Sequence, residues 1–147
     1  RDVTLEMLEN QRNEMEPVVF NRCQFVIEEN SRVLAACEDL EHDNIDAFGE
    51  KMYASHRGLQ HKYEVSCNEL DLLVEIAKEV DGVIGSRMMG GGFGGCTINL
   101  VRTEYVTRFT DIVKEKYRRQ TGRAASVYVT TISDGTHVLN QQVQSSE

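Results

Sequence analysis

Only one of the 147 residues is proline, and no segment repeats or falls into a low-complexity tract, so the chain offers no long disordered linker. No apolar run approaches ~20 residues, which excludes a membrane-spanning helix, and nothing has the layout of a secretory leader. The four cysteines, Cys23, Cys37, Cys67 and Cys96, form no C-x-x-C pair and have no histidine at zinc spacing. Four free thiols are therefore expected, in a reducing, cytoplasmic setting, with Cys23 and Cys37 as small apolar fillers on one helix stripe. Cys67, at a helix start where a thiol pKa can fall, is expected to be unreactive all the same. Metal ligands are equally scarce. His56 and His61 are five apart, which does not place them on one helix face, and His42 and His137 are expected to be solvated at a connector and a strand edge.

Positive charge is also in short supply. The 16 Lys and Arg against 24 Asp and Glu leave a net charge of −8, and such a surface repels phosphate backbones and anionic lipids. Neither nucleic acid nor a membrane surface is expected as a partner. The local group Lys114, Lys116, Arg118 and Arg119 reads as the last turns of a helix, where cations complement the dipole. An initiator methionine is missing at Arg1, which favours an excised piece of a longer protein. The hydrophobic content of 40 % and charged content of 27 % are those of a globular domain, and the length suits one domain over residues 1–147 with a single core.

Glycine, by contrast, is concentrated. Five of the 11 glycines fall within six positions, in Arg87-Met88-Met89-Gly90-Gly91-Gly92-Phe93-Gly94-Gly95-Cys96. Each costs more backbone entropy on folding than any other residue, so the cluster is unfavourable unless φ > 0 or close approach requires it. Val83 to Met88 before it and Cys96 to Val101 after it read as strands. Gly90, Gly92 and Gly95 satisfy G-x-G-x-x-G, but a dinucleotide site needs a helix to follow, and here a strand follows. A Walker A loop fails because Cys96 stands where its lysine belongs. A protein-kinase glycine loop lacks its strand lysine, its H-R-D and its D-F-G. Two readings stay open: a loop presenting backbone N–H groups to an anion or to a second loop, and a hairpin that merely lets another backbone pack closely.

The rest of the chain is helical first and mixed later. A helix is expected from Val3 to Met15, a boundary or first-turn proline at Pro17, then about six helical turns with Phe20, Cys23, Ile27, Val33 or Leu34, Cys37 and Leu40 on one stripe. Asp43 is expected to cap a further helix carrying Ile45, Phe48, Met52, Ser55, Leu59 and Tyr63, packed against the one before. Ser66-Cys67-Asn68-Glu69 fits a capping box, opening a helix buried through Leu70, Leu73, Ile76, Ala77 and Val80 and stopped at Gly82. Asp71 is expected as a helix-surface acid, no partner standing at a readable spacing. Beyond the glycines, Val106, Phe109, Ile112 or Val113 and Tyr117 mark a helix ending near Gly122. A strand at Ala125 to Ile132, a turn at Ser133-Asp134-Gly135-Thr136, a short strand at His137-Val138-Leu139 and a frayed tail from Asn140 to Glu147 follow. This is an α+β layout, with helices on one face of a small antiparallel sheet.

Arg87 to Cys96 with Thr97 resembles the third, C-terminal glycine motif of the GHMP small-molecule kinases, in the R-M-T-G-G-G-F-G-G-C form of galactokinases. Glu29-Asn30-Ser31-Arg32-Val33, Phe48-Gly49, Ser55-His56, the run Tyr63 to Asp71, and Asp134-Gly135 extend the resemblance, in order, over nearly the whole chain. It implies the ferredoxin-like C-terminal domain of that family, preceded by long helices. It also implies a parent enzyme that transfers the γ-phosphoryl group of ATP to galactose with Mg²⁺, this chain's partner being the parent's own N-terminal kinase domain. The family's sugar signature, phosphate loop and catalytic aspartate and arginine are not found here, so no catalytic or metal-binding residue is assigned and the chain by itself is expected to be inactive. The resemblance places Gly90, Gly91, Gly92, Gly94 and Gly95 in a loop closing the cleft. Arg87 is then its anchor, with Phe93 within it and Met88 and Met89 as lining or packing residues. Met89 stands where galactokinases commonly carry threonine, which leaves the sugar open. Another sugar or mevalonate-type kinase of the family, a non-catalytic sugar and ATP sensor, and a free-standing ligand-binding module are the alternatives.

Overall fold

The computed structural model describes residues 2–133 and 135. Its first helix, α1 (Leu5–Glu9), begins after Thr4, whose hydroxyl accepts the Met7 N–H at 3.2 Å. The single helix expected from Val3 to Met15 is broken: the chain leaves α-geometry at Gln11 and makes one 3₁₀ turn, Arg12–Glu14. Short helices are marginal without tertiary contacts, and Leu8 is the one buried residue in α1. Arg12 fixes the turn, bonded through two nitrogens to Glu9 and stacked 3.9 Å from the centre of the Phe20 ring.

Pro17 is the first residue of α2 (Pro17–Glu41), where its missing N–H costs nothing. The helix pairs with α3 (Ile45–His61), but not through the expected stripe. Phe20 and Phe25 are buried, while Val33, Leu34, Cys37 and Leu40 are exposed and Cys23 is only half-buried. The inner face beyond Phe25 is polar. Lys62 bonds Glu28, Ser55 bonds Glu29, and Lys51 bonds Asp39. Periodicity located an apolar stripe but could not say that the neighbouring helix would face the charged one. Nor does Asp43 cap α3. It turns the chain in the left-handed region at φ 58°, and Asn44 precedes the helix without a side-chain cap.

Two antiparallel strands, β1 (Val83–Met89) and β2 (Cys96–Val101), pair Gly85 with Leu100, Arg87 with Ile98 and Met89 with Cys96, with an irregularity between Val83 and Gly85. Helix α3 lies against β1 at backbone contact distance: a Cβ on Gly49 would fall 2.0 Å from the Ile84 carbonyl oxygen. Helices α4 (Asn68–Lys78) and α5 (Val106–Thr121) enclose the main apolar cluster of Ile76, Ala77, Val80, Phe109, Val113 and Tyr117. Gly122, at φ 72°, closes α5 by returning its N–H to Arg118 at 2.8 Å, as its position after the last periodic residue implied.

The strand expected from Ala125 to Ile132 does not form among the described residues. The segment carries no ladder, and Tyr128, Val129 and Ile132 are exposed. Alternating apolar residues specify a strand only where they pair with an edge, and this segment pairs with neither described strand. Asp134 and Thr136 of the expected turn, the return strand at His137-Val138-Leu139 and the tail from Asn140 lie outside the described residues. No helix among the described residues is long and apolar enough to cross a membrane.

Candidate functional site

Between Met89 and Cys96 the chain leaves the sheet and makes an open loop. Gly90, Gly92, Gly94 and Gly95 have φ of 88°, 86°, 132° and 100°, and Phe93 joins them at 59°. One tether holds the tip: the Phe93 N–H donates to the Val65 carbonyl at 2.7 Å. That contact leaves no space at the preceding residue. A Cβ on Gly92 would stand 2.0 Å from the same carbonyl oxygen, whereas Gly90, Gly91 and Gly94 face open space. Among the described residues the amides of Gly90, Gly91, Gly92 and Gly94 make no hydrogen bond. Successive free backbone N–H groups, such as those of Gly90, Gly91 and Gly92, are the groups from which anion-binding concavities are made. The Phe93 ring is 77 % exposed beside them.

Beneath the loop lies a polar cluster that spacing did not reveal. His56 of α3 is buried; its Nδ1 accepts the Met88 N–H at 3.3 Å and its Nε2 stands 3.4 Å from Asp71 Oδ1. Asp71, in the first turn of α4, also accepts from Gln60 at 2.8 Å and from the Ser66 hydroxyl. So Asp71 is no surface acid, and the capping box is not made. Cys67 occupies the cap position without a side-chain bond, Ser66 reaches past it to the carboxylate, and Glu69 receives Arg123 instead. The Ser66 hydroxyl donates to a charged acceptor, the stronger class of hydrogen bond. Burial pushes the His56 imidazole below its ordinary pKa of 6.5, and the opposing pull of Asp71 and Glu75 does not restore it. A neutral ring that accepts at Nδ1 carries its proton on Nε2, toward Asp71.

The residues singled out from the sequence fall into different roles. Arg87 is half-buried in β1 and its Nε donates to the carbonyl of the next residue, Met88, at 3.1 Å, a bond local to the strand. Met88 is fully buried, so its side chain packs in the core and only its backbone takes part in the loop. Met89, 47 % exposed, is at the loop's root on the open side. Cys96 is exposed, and all four cysteines are unbridged. No group of three or more His, Cys, Asp or Glu among the described residues is arranged to hold a metal ion. His56, Gln60 and Ser66 were missed as partners of Asp71. The signal available was a serine, a histidine and an aspartate in neighbouring segments, and separations of 5 to 15 residues, none of them a motif spacing, hid their meeting.

The chain is similar to proteins of known family. The family described as GHMP kinases C terminal matches residues 36–119. Galactokinase of Clostridium acetobutylicum is 42 % identical over 125 residues, covering 85 % of this chain and 32 % of the relative. Galactokinase of Bos taurus is 41 % identical over 140 residues, covering 95 % and 35 %. A crystal structure of Lactococcus lactis galactokinase complexed with galactose superposes with a TM-score of 0.85 at 35 % identity, covering 94 % of this chain and 36 % of that one. The chain thus spans about a third of the length of the relatives it matches. With its helices, its antiparallel strand pair and the glycine loop between the strands, the chain belongs to the GHMP kinase C-terminal family.

Proposed function

We propose that this chain is the C-terminal part of an ATP-dependent galactose kinase and that its glycine loop forms one wall of the cleft in which phosphoryl transfer occurs. The observation that carries the reading is the run of unbonded amides at Gly90, Gly91, Gly92 and Gly94, held at a defined height by the Phe93–Val65 bond. Phosphoryl transfer asks of the protein mainly positioning and charge stabilisation, and backbone N–H groups aimed at phosphate oxygens supply both. Mg²⁺ accompanies ATP in such reactions, but the described residues do not fit it, so its ligands would come from the rest of the kinase. The groups that orient the galactose hydroxyl would come from there too. The partner of this chain is accordingly the remainder of its own enzyme, in the cytoplasm.

Gly92→Val in the full-length kinase tests the reading. The added side chain cannot coexist with the Val65 carbonyl, and a displacement of about 1 Å at a reactant costs on the order of a hundredfold in rate. The expected result is loss of most ATP-dependent galactose phosphorylation with circular dichroism unchanged, while Met89→Thr is tolerated. A folded Gly92→Val enzyme with near-normal kcat and KM would remove the loop from the cleft. Background activity is expected for the 147-residue chain assayed without the rest of the enzyme.

A further inference from the structure

We propose that His56 is a positioning residue for the glycine loop, the link that closes a ring of contacts holding the loop's root and its tip to one segment of chain. The ring can be followed atom by atom. From the root, the Met88 N–H donates to His56 Nδ1, and His56 Nε2 faces Asp71 Oδ1. Asp71 accepts from the Ser66 hydroxyl, and the neighbouring Val65 carbonyl accepts the N–H of Phe93 at the tip. Met89, Gly90, Gly91 and Gly92 complete the circuit back to Met88. Met89 and the three glycines after it are therefore bounded at the tip by the Phe93–Val65 bond and at the root by the Met88–His56 bond, from which the 3.4 Å approach of His56 Nε2 to Asp71 Oδ1 leads back to Ser66. Gln60, donating to the other Asp71 oxygen, keeps the carboxylate from turning away.

His56 suits this position for a reason other polar side chains lack. It must accept from a backbone N–H on one side and offer a hydrogen to a carboxylate on the other, across one rigid ring, which a neutral imidazole does. A protonated ring would present a donor to a donor at Met88 and open the circuit. The groups that face the imidazole are Asp71 and Glu75, which favour its charged form, and His61 and Arg87, which oppose it. The positioning stands on this geometry; its bearing on catalysis rests on the cleft reading above.

The direct test is the tautomer. A long-range ¹H–¹⁵N spectrum of the ¹⁵N-labelled chain at pH 7 should show His56 neutral with its proton on Nε2; a proton on Nδ1, or a charged ring, would overturn the proposal. Asp71→Asn then perturbs the ring without touching the loop. Amide exchange should quicken at Met88 and Phe93 together, on the order of fivefold, the factor one net hydrogen bond carries. Val74 in α4 and Ile98 in β2 should keep their rates. Uniform acceleration, or acceleration at Met88 with Phe93 unchanged, would show that root and tip are not coupled. Two further variants separate the ends of the ring. His56→Asn, whose oxygen falls near the Nδ1 position, should retain protection at Met88, and His56→Gln should not; equal loss in both would count against the assignment. In the full-length kinase, Asp71→Asn should lower kcat while KM for the sugar stays in place. Coupled exchange with unaltered kinetics would confirm the ring and reject the loop's place in the cleft.

Discussion

Gly92 and Phe93 are neighbours held in the same left-handed region under different constraints. Gly92 has both a positive φ and no room for a Cβ, so any side chain there meets strain and a clash. Phe93 bears the conformational cost, its ring largely in solvent and its N–H bonded to Val65. A non-glycine residue in this region costs on the order of 1–2 kcal/mol. Phe93→Gly should consequently leave the melting temperature unchanged or raise it, since little burial is lost and the strain is relieved; a clear drop would mean that the ring is packed in solution. His56 makes a prediction of the opposite kind. Its pKa is depressed in the folded chain, so as pH falls below 6.5 the unfolded chain takes up a proton first and stability declines toward the lower, folded pKa. The stabilising contribution is fully present above 6.5. Glu9 and Glu79, held below 4.5 by hydrogen bonds to Arg12 and Lys116, act in the same sense only at lower pH. Melting curves between pH 7.5 and 5 (about the interval in which histidine titrates) should therefore slope, and His56→Asn should flatten them.

Among the elements, α5 was the most legible and α2 the least. Phe109, Val113 and Tyr117 recur at helical spacing, Gly122 ends the run, and those three residues are the buried ones. Here apolar pattern, stop residue and burial agree because the helix has a single neighbouring layer to meet. Phe109→Ala should cost about 3–5 kcal/mol in chemical denaturation, the range for a buried phenylalanine, since its place in the cluster with Ile76 and Val80 leaves a cavity. A loss below 1 kcal/mol would show the α4–α5 core to be loosely packed. In α2 the pattern misled past Ile27, where Val33, Leu34, Cys37 and Leu40 lie outward while Glu29 and Asp39 bond to Ser55 and Lys51 of α3. The glycine loop was legible as a loop because of its composition, and its flanking strands because of their pairing potential. The ring beneath it was not, for hydrogen bonds between side chains brought together by tertiary structure leave no period in a sequence.

Across the whole molecule, the exposed residues of α2 fall into a row. Val19, Val26, Val33 and Leu40 are each 45–54 % exposed and recur every seven residues along the helix. The opposite face is fastened to α3 by Lys62–Glu28 and Lys51–Asp39, ion pairs that keep partial contact with solvent. Added salt must therefore act on the two sides of one helix in opposing directions. Screening weakens the partly exposed ion pairs, each worth roughly 0.2–1 kcal/mol, while an excluded salt such as sulfate favours covering the apolar row. Sodium chloride should loosen α2 from α3, read as faster amide exchange along α2. Ammonium sulfate at equal ionic strength should instead drive the chain toward self-association, read by light scattering. A helix built this way is a junction whose grip passes from one side to the other with the composition of the solvent.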